Sequence, residues 1–226
     1  MNEGINVRVE SSRNVFLLVK THIYLFIKRI FDIIVSFIGL LFIMPIGIII
    51  KISYILHKDY SSIFYAQKRI GKDGKEFNFV KFRSMIPNAD EALEKLLDED
   101  EELALEYKRN KKLENDPRIT KMGRIIRKFS IDELPQFVNV FVGEMSIIGN
   151  RPYLPREKED MGEDFDIIVK TRPGLTGYWQ VGLRNRGTFA QRLQMERYYS
   201  EHCGLKMDIK IFFKTFGVVF GCKGAK

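Results

Sequence analysis

Cysteine and histidine are scarce in this sequence, and their scarcity excludes two common ways of building a site. The chain has two cysteines, Cys203 and Cys222, and three histidines, at positions 22, 57 and 202. Two cysteines are too few for a disulfide framework, and the histidines do not pair with them at the spacing of a zinc site. A reduced, cytosol-facing catalytic part is therefore the default expectation.

The first residues also lack the pattern of a cleavable secretory signal. Polar residues come first, and no small-residue cleavage site follows the apolar stretch. We therefore expect any segment that enters the membrane to stay there. What the chain does have is positive charge, a net +8, with 45% hydrophobic and 29% charged residues. This balance excludes wholesale disorder and indicates an anionic partner, which could be nucleic acid, lipid headgroups or a nucleotide diphosphate.

One long apolar run predicts a membrane element. From Ile30 to Ile50 only Asp32, Ser36 and Pro45 interrupt the apolar residues, and about 20 residues suffice to cross a bilayer. Pro45 removes a helical hydrogen bond, and basic residues flank both ends of the run. These features favour a re-entrant helix with both ends in the cytoplasm. A straight spanning helix that tolerates the proline is the alternative.

Two short segments rich in aromatic and β-branched residues predict a β-hairpin. They run from Ser62 to Arg69 and from Glu76 to Met85, and Gly71–Lys75 between them has the composition of a turn. In the second segment Lys81 and Arg83 share one face of the strand. Such a cationic edge could hold phosphate oxygens or could simply be solvated.

Helices are predicted on both sides of position 120 and at the end of the chain. Residues 88–115 form one or two polar helices, whose charges indicate a solvated, peripheral excursion outside the site. Apolar residues then recur at i, i+3, i+4 and i+7 from Met122, which predicts a basic amphipathic helix. It could lie on lipid headgroups, line a nucleotide pocket or be solvated. Residues 207–220 combine phenylalanines with lysines and suit an interfacial helix, with packing of the aromatics in the core as the alternative.

Two adjacent carboxylates, Asp132 and Glu133, follow the basic helix. Cationic surroundings favour their ionised form and attract an anionic substrate. A charged carboxylate can act as a nucleophile or as a metal ligand. Ser130 with Glu133 also fits a helix-capping box, which would explain both residues without catalysis. Pro135 favours the catalytic interpretation because it forces an irregular first turn.

Two glycine-containing loops add candidates for phosphate and nucleotide contacts. In Gly149–Pro152, Arg151 is fixed by the following proline and could grip a phosphate bidentately or simply be exposed. In residues 172–180, which Arg184 follows, glycines permit close backbone approach to a ligand. Trp179 could stack on a base.

In this order along the chain, these segments resemble the bacterial sugar transferase family, the monotopic phosphoglycosyl transferases that load a sugar 1-phosphate onto polyprenyl phosphate. The resemblance covers the chain from about Lys28 to its end. The matching segments are residues 28–32, 81–85, 116–120, 123–136, 149–152 and 172–180. The chain departs from the usual pattern at Met44, where serine often precedes the kink proline, at Asn150 and across Gly182–Asn185.

The resemblance implies a catalytic dyad of Asp132 and Glu133 with Mg²⁺ as cofactor. Asp132 would attack the β-phosphorus of a UDP-sugar, form a covalent phosphosugar intermediate and release UMP. Glu133 would assist in magnesium binding or proton handling, and Arg151 matches the family's phosphate-gripping arginine. The remaining candidates for substrate binding are Lys81, Arg83, Arg118, Arg124, Gln136, Arg172, Trp179 and Arg184.

Together, the patterns and the resemblance predict an α+β protein, with a mainly helical catalytic domain, a small β-hairpin, one proline-kinked re-entrant membrane helix and interfacial amphipathic helices. The predicted parts are a polar segment with a lead-in helix (1–27), the re-entrant helix (28–57), the cytosolic catalytic domain (58–200) and an interfacial segment (201–226).

The resemblance also implies a place and a set of partners. These are the cytoplasmic face of the inner membrane, a UDP-sugar, undecaprenyl or another polyprenyl phosphate, and anionic lipids, without nucleic acid; a homodimer is left open. The reaction would begin assembly of a capsule, an O-antigen or another glycoconjugate. The rival hypothesis is a membrane-anchored basic binding module, for nucleic acid or anionic lipid, in which the two carboxylates only cap a helix.

Overall fold

Helices dominate this protein. The structure, a computed structural model, describes residues 3–110, 113–183 and 187–220. The helices are α1 (Glu3–Leu56), α2 (Ala89–Glu99), α3 (Glu101–Asn110), α4 (Lys121–Lys128), α5 (Gln136–Val142), α6 (Lys158–Met161), α7 (Phe165–Ile168), α8 (Tyr178–Val181), α9 (Phe189–His202) and α10 (Leu205–Phe220). The strands are β1 (Phe64–Ile70), β2 (Glu76–Phe82), β3 (Ser146–Ile148) and β4 (Gly174–Thr176). The prediction of a mainly helical protein with a small hairpin, formed by β1 and β2, is confirmed.

Helix α1 contains the predicted membrane element. Its stretch Thr21–Leu56 has 36 residues and is long and apolar enough to cross a membrane. The helix continues through Pro45, so the proline does not end it. Many large apolar side chains of this stretch are exposed, including Phe37 at 53% and Met44 at 73%. Exposed apolar area on this scale indicates a surface that water does not cover. The bend at Pro45 stays a prediction.

The chain divides into two compact units. The first unit contains the chain up to Gly39, Lys68–Phe79 and the chain from Gln136 onward; the second contains Leu40–Gln67 and Val80–Pro135. This division follows packing and not depth in a membrane. The boundaries expected after residues 27, 57 and 200 therefore stay predictions.

The first unit is built around a short parallel sheet. β3 pairs with β4, with Ser146 opposite Gly174, and buried side chains such as Tyr199 pack around the pair. A Cβ atom on Gly149 would lie 2.3 Å from the carbonyl oxygen of Arg172. Glycine is needed at that position because only it lets the two backbones approach so closely.

Asp32 fastens helix α1 to this sheet. Its carboxylate is only 2% exposed. It accepts hydrogen bonds from Ser146 Oγ at 3.0 Å and from the Ile147 N–H at 2.8 Å. A buried carboxylate is tolerated only when it is hydrogen-bonded in this way.

Two cations next to Asp32 extend the attachment. Lys28 Nζ lies 2.6 Å from Asp208 Oδ2, which belongs to α10. Arg29 donates to the carbonyl oxygens of Val140 and Phe141, both at 2.7 Å. These carbonyls lie in the last turn of α5, where a cation satisfies acceptors that the helix leaves unpaired.

Helix α10 combines the two alternatives that its sequence left open. Phe212 packs on the core, with its ring centroid 5.3 Å from that of Phe31. Phe213 and Phe216 are 69% and 46% exposed. The helix therefore has an exposed aromatic side, and its location at a lipid interface stays a prediction.

The second unit has its own core, formed by Ile50, Tyr54, Phe82 and Ile126. The amphipathic helix predicted from Met122 onward is confirmed as α4. Ile126 is 1% exposed, whereas Ile125 and Phe129 are 51% and 65% exposed. Only part of the apolar stripe therefore faces the core.

The predicted second strand ends earlier than the sequence suggested. Beyond Phe82 the backbone bonds to the segment before α4, with Thr120 N–H donating to Ser84 O at 3.1 Å and Ile86 N–H to Arg118 O at 2.9 Å. From Ser84 onward, these hydrogen bonds to residues 118–120 replace the hydrogen bonds that β2 makes to β1. The residues after β2 are thereby held beside the start of α4.

Glycine is required where α4 begins. Thr120 caps this helix by accepting the Gly123 N–H at 2.8 Å. A Cβ atom on Gly123 would lie 1.8 Å from Ser84 O. That contact with backbone is too short to be relieved by moving a side chain.

We therefore expect Gly123→Ala to destabilise the protein by about 2 kcal/mol, because overpacking forces the backbone apart. Gly204→Ala is the matched control, since nothing lies within 4 Å of a Cβ placed there. Urea unfolding in detergent, followed by circular dichroism, measures both. Equal stability of the two variants would contradict the packing described for α4.

Candidate active site

Asp132 and Glu133 line a cavity of about 620 Å³ in the second unit. Both lie in one 3₁₀ turn, Ile131–Glu133, that follows α4. Lys81, at the end of β2, lines the same cavity. Its Nζ lies 3.9 Å from Asp132 Oδ2 and 3.4 Å from Glu133 Oε1. The structure thus brings Lys81 next to the pair of carboxylates, two features that the sequence marked separately.

The capping-box explanation of this pair is wrong. Ser130 has a left-handed backbone conformation, with φ of 54°, and its side chain makes no capping hydrogen bond to any described residue. Left-handed conformations are unfavourable for residues other than glycine. Ser130, two residues after the end of α4, therefore forms a turn that leads the chain into the two carboxylates.

Burial and charge act in opposite directions on Asp132. Its side chain is 14% exposed, whereas that of Glu133 is 51% exposed. Burial raises the pKa of Asp132, and the nearby Lys81 ammonium and Arg127 guanidinium lower it. The ionised form of this carboxylate thus depends on its cationic neighbours.

Arg127 is a site residue that the sequence analysis did not single out. It lines the cavity of the dyad, and its Nε donates to Ser84 Oγ at 2.8 Å. In the sequence it is one of several cations on the charged side of α4, and spacing gives no reason to prefer it. Only its place in the last turn of the helix, before Asp132, could have suggested the role.

The prediction that residues 88–115 lie outside the site is wrong for residues 88–91. Asn88, Asp90 and Glu91 line the cavity together with the dyad. Asn88 has a left-handed conformation, with φ of 56°, and turns the chain into α2. A run of charges usually indicates a solvated face, so composition alone does not predict that these residues lie near the dyad.

Arg83 connects segments of the chain around the site through hydrogen bonds. Its Nε donates to Ser62 O at 2.7 Å, its Nη1 to Met85 O at 2.9 Å and its Nη2 to Asp59 Oδ2 at 2.8 Å. Arg83 also lines the cavity of the dyad. Its three protein partners favour a positioning role, and its predicted phosphate contact stays a prediction.

Arg118 and Arg124 do not line the cavity of the dyad. Arg118 is buried and paired with Asp116, with its Nε and Nη2 2.8 Å and 2.6 Å from the two carboxylate oxygens. Arg124 is exposed on α4. The guanidinium of Arg118 stabilises the turn before α4, and phosphate binding by Arg124 stays a prediction.

Arg151 lies in the first unit and is exposed. Its backbone N–H donates to Glu196 Oε1 at 3.3 Å. Glu196 is 1% exposed, and its burial raises the pKa of its carboxyl to about 7. The glycine loop that presents Arg151 is thus supported by a buried acid on α9.

The other candidates of the first unit are more deeply packed. Arg172 Nε donates to Gly143 O at 2.9 Å. Trp179 is 7% exposed and lies so close to Gly187 that a Cβ there would be 2.5 Å from its ring. Gln136 is 3% exposed. These contacts favour packing roles, while Arg184 lies outside the described residues.

Magnesium fits the carboxylates of the dyad. The ion usually binds one or two carboxylates together with substrate phosphates and water, and Asp132 and Glu133 supply two on one cavity. Within the described ranges, no group of three or more His, Cys, Asp or Glu residues could hold a metal. The donor set therefore fits an ion shared with a substrate and not one enclosed by protein.

The chain belongs to the bacterial sugar transferase family, whose model matches residues 23–222. It is 42% identical over 199 residues to an uncharacterized sugar transferase of Haemophilus influenzae, covering 88% of this chain and 42% of the relative. It is also 42% identical over 200 residues to the undecaprenyl-phosphate galactose phosphotransferase of Salmonella typhimurium. These residues cover 88% of this chain and 42% of the relative.

Relatives of a similar length to this chain exist as well. The exopolysaccharide production protein ExoY of Rhizobium meliloti is 37% identical over 198 residues, which cover 88% of this chain and 87% of the relative. The chain thus spans about two fifths of the Haemophilus and Salmonella relatives and most of ExoY.

Glu196 should make stability depend on pH. Its pKa is about 7 in the folded protein against an ordinary value of 4.5, so the unfolded chain loses this proton first as the pH rises. Stability therefore falls between about pH 4.5 and pH 7, by about 3 kcal/mol for this group. We expect Glu196→Gln to remove that part of the decline, as measured by urea unfolding at pH 5 and pH 8.

The control is Glu201→Gln, an exposed carboxyl on the same helix. It should keep the pH dependence of the unaltered protein. A Glu196→Gln variant with an undiminished decline would contradict the burial of this acid.

Proposed function

We propose that the protein transfers a sugar 1-phosphate from a UDP-sugar to polyprenyl phosphate, with Asp132 as the nucleophile. The single observation that carries the proposal is the place of Asp132: a mostly buried carboxylate beside Lys81, in a cavity that Arg127 also lines. Membership of the sugar transferase family gives this arrangement its substrate class. The relative from Salmonella is named for phosphogalactose transfer to undecaprenyl phosphate.

In the first step, a carboxylate oxygen of Asp132 attacks the β-phosphorus of the UDP-sugar. The bond between that phosphorus and the oxygen bridging the two phosphates breaks, and UMP leaves with the bonding electrons. Asp132 then carries the sugar phosphate as an acyl phosphate. Negative charge on the phosphates is balanced by Lys81 and Arg127, which supply the electrostatic stabilisation that phosphoryl transfer requires.

In the second step, a phosphate oxygen of the polyprenyl phosphate attacks the same phosphorus. The bond to Asp132 breaks, the carboxylate is restored and a polyprenyl diphosphate sugar forms. A covalent intermediate suits this pair of substrates because a soluble donor and a lipid-borne acceptor can use one nucleophile in turn.

Asp132 must be ionised to act in this way. Its pKa is raised by burial, so the reaction should slow as the pH falls through that pKa and the carboxylate takes up a proton. Lys81 lowers the pKa and widens the active range. A more exposed carboxylate would ionise more readily but would face a phosphorus screened by water.

We further propose Mg²⁺ as the cofactor, held by Asp132 and Glu133 together with the donor phosphates. The ion would neutralise charge on the diphosphate. The protein residues bring the donor to Asp132 and hold it there. Arg151 is proposed to bind phosphate, since it is exposed on a supported loop.

The proposed location is the cytoplasmic face of the inner membrane. Helix α1 would enter and leave the same leaflet by bending at Pro45. The exposed apolar residues of α4 and α10, among them Ile125 and Phe213, would lie in the interface. This arrangement would hold Asp132 at the depth of the lipid headgroups, where polyprenyl phosphate presents its reactive group.

Replacing Asp132 by asparagine tests the chemistry. We expect Asp132→Asn to lower UMP release from a UDP-sugar by about a thousandfold or more, because the amide cannot form the acyl phosphate. The measurement uses purified protein, Mg²⁺, polyprenyl phosphate and a panel of UDP-sugars. Asp98→Asn is the control, since Asp98 is exposed on α2 and does not line the cavity.

An Asp132→Asn variant with the activity of the Asp98→Asn control would overturn the role of Asp132. The rival hypothesis, a basic binding module, predicts no UMP release from any variant and equal lipid binding by both.

Labelling of single cysteines tests the re-entrant helix. With Cys203 and Cys222 replaced by serine, Thr21→Cys and Ser61→Cys place one thiol on each side of the apolar stretch. A membrane-impermeant maleimide should label both in inverted membrane vesicles and neither in intact cells, because both ends face the cytoplasm. Labels on opposite sides would exclude the re-entrant arrangement and favour a spanning helix.

A further inference from the structure

A second cavity, of about 490 Å³, lies in the first unit and shares no lining residue with the cavity of the dyad. Its walls are formed by residues 21–32 of α1, the turn between β1 and β2, the loop before β4, the end of α9 and the start of α10. We call it the cationic cavity because five lysines and arginines line it: Lys28, Arg29, Lys72, Lys170 and Arg172.

Three of these cations already interact with carboxylate or carbonyl oxygens of the protein. Lys28 is paired with Asp208 at 2.6 Å, and Arg29 and Arg172 donate to backbone carbonyl oxygens. Lys72 and Lys170 are exposed at the cavity. Lys72 Nζ lies 3.9 Å from Asp73 Oδ2, in a pair whose two side chains are 45% and 60% exposed. Such an exposed pair contributes little and can open for another anion.

Positive charge exceeds negative charge around the cavity. Asp32 is the single carboxylate among its described lining residues, and the partners Asp208 and Asp73 add two more. Five cations against three carboxylates leave an excess of two positive charges. Thr171 and Ser200 also line the cavity, but their hydroxyl groups donate to the carbonyl oxygen of Ile168, at 3.2 Å and 3.4 Å.

One wall of the cavity is apolar and exposed. Ile23, Leu25 and Ile27 of α1 are 55%, 45% and 42% exposed and line the cavity, as does Leu205 of α10 at 47%. Ile23 and Ile27 are one helical turn apart and therefore lie on the same side of α1. They belong to the stretch that is long and apolar enough to cross a membrane.

An anionic head combined with hydrocarbon chains is the chemistry that matches both walls. We propose that the cationic cavity binds an anionic phospholipid of the bilayer, with the phosphodiester at Lys72 and Lys170 and an acyl chain along Ile23 and Ile27. A soluble nucleotide sugar would leave the apolar wall uncovered. The bound lipid would help to fix α1 at the membrane surface. This inference rests on the proposed membrane attachment and not on the proposed chemistry.

Binding of a fluorescent phosphatidylglycerol to the full chain in neutral detergent tests the proposal. We compare a double variant, Lys72→Gln with Lys170→Gln, against a control, Lys75→Gln with Lys158→Gln, which removes the same charge from exposed sites of the same unit outside the cavity. Each cation contributes roughly fivefold to binding of an anionic lipid, so the double variant should bind about twenty-five-fold more weakly. The control should bind phosphatidylglycerol like the unaltered protein. Phosphatidylcholine should bind to none of the three proteins.

Equal weakening of both variants would overturn the proposal, because it would indicate general attraction to surface charge. Displacement of the probe by polyprenyl phosphate at lower concentration than by unlabelled phosphatidylglycerol would also overturn it, since the cavity would then take the acceptor. The readout requires no turnover, so its failure is distinguishable from a failure of the proposed reaction.

Discussion

The structure depends on the attachment of an apolar helix through a few buried polar groups. Ionisable residues within an apolar helix are costly unless they are paired, and on α1 they are paired: Asp32 with Ser146 and Ile147, and Lys28 with Asp208. These bonds fix the rotation of α1 against β3 and α10. Apolar residues of α1 such as Phe31 and Val35 pack on the core of the same unit, and the polar bonds add direction to that contact.

A second constraint acts on Asp132, which has to be both desolvated and charged. Burial strengthens its interaction with a phosphorus but raises its pKa. Lys81 and Arg127 offset part of that cost, and Arg83, which directly follows the strand of Lys81, bonds to Asp59 and to two carbonyl oxygens. Lys81, Arg83 and Arg127 all line the cavity, but Arg83 is held by three protein partners and therefore has mainly a supporting role. Family membership and this division of roles give the transferase proposal its physical basis.

Local signals predicted much of the fold. The spacing from Met122 indicated α4, and the turn composition after Ile70 indicated the hairpin. Longer-range pairing could not be read: nothing near Arg83 reveals Asp59, and Ser130 fits a capping box until its left-handed conformation is known. The dyad and its phosphate chemistry came from motif order, whereas Asp90 and Glu91 were missed because charge runs usually mark solvated helices.

The most direct test is the mass of the protein during the reaction. Mixed with a UDP-sugar and Mg²⁺ but no acceptor, the protein should gain the mass of one sugar phosphate. Peptide mapping should place that adduct on Asp132, and addition of polyprenyl phosphate should remove it. Normal turnover by a protein that never carries the adduct would contradict the account.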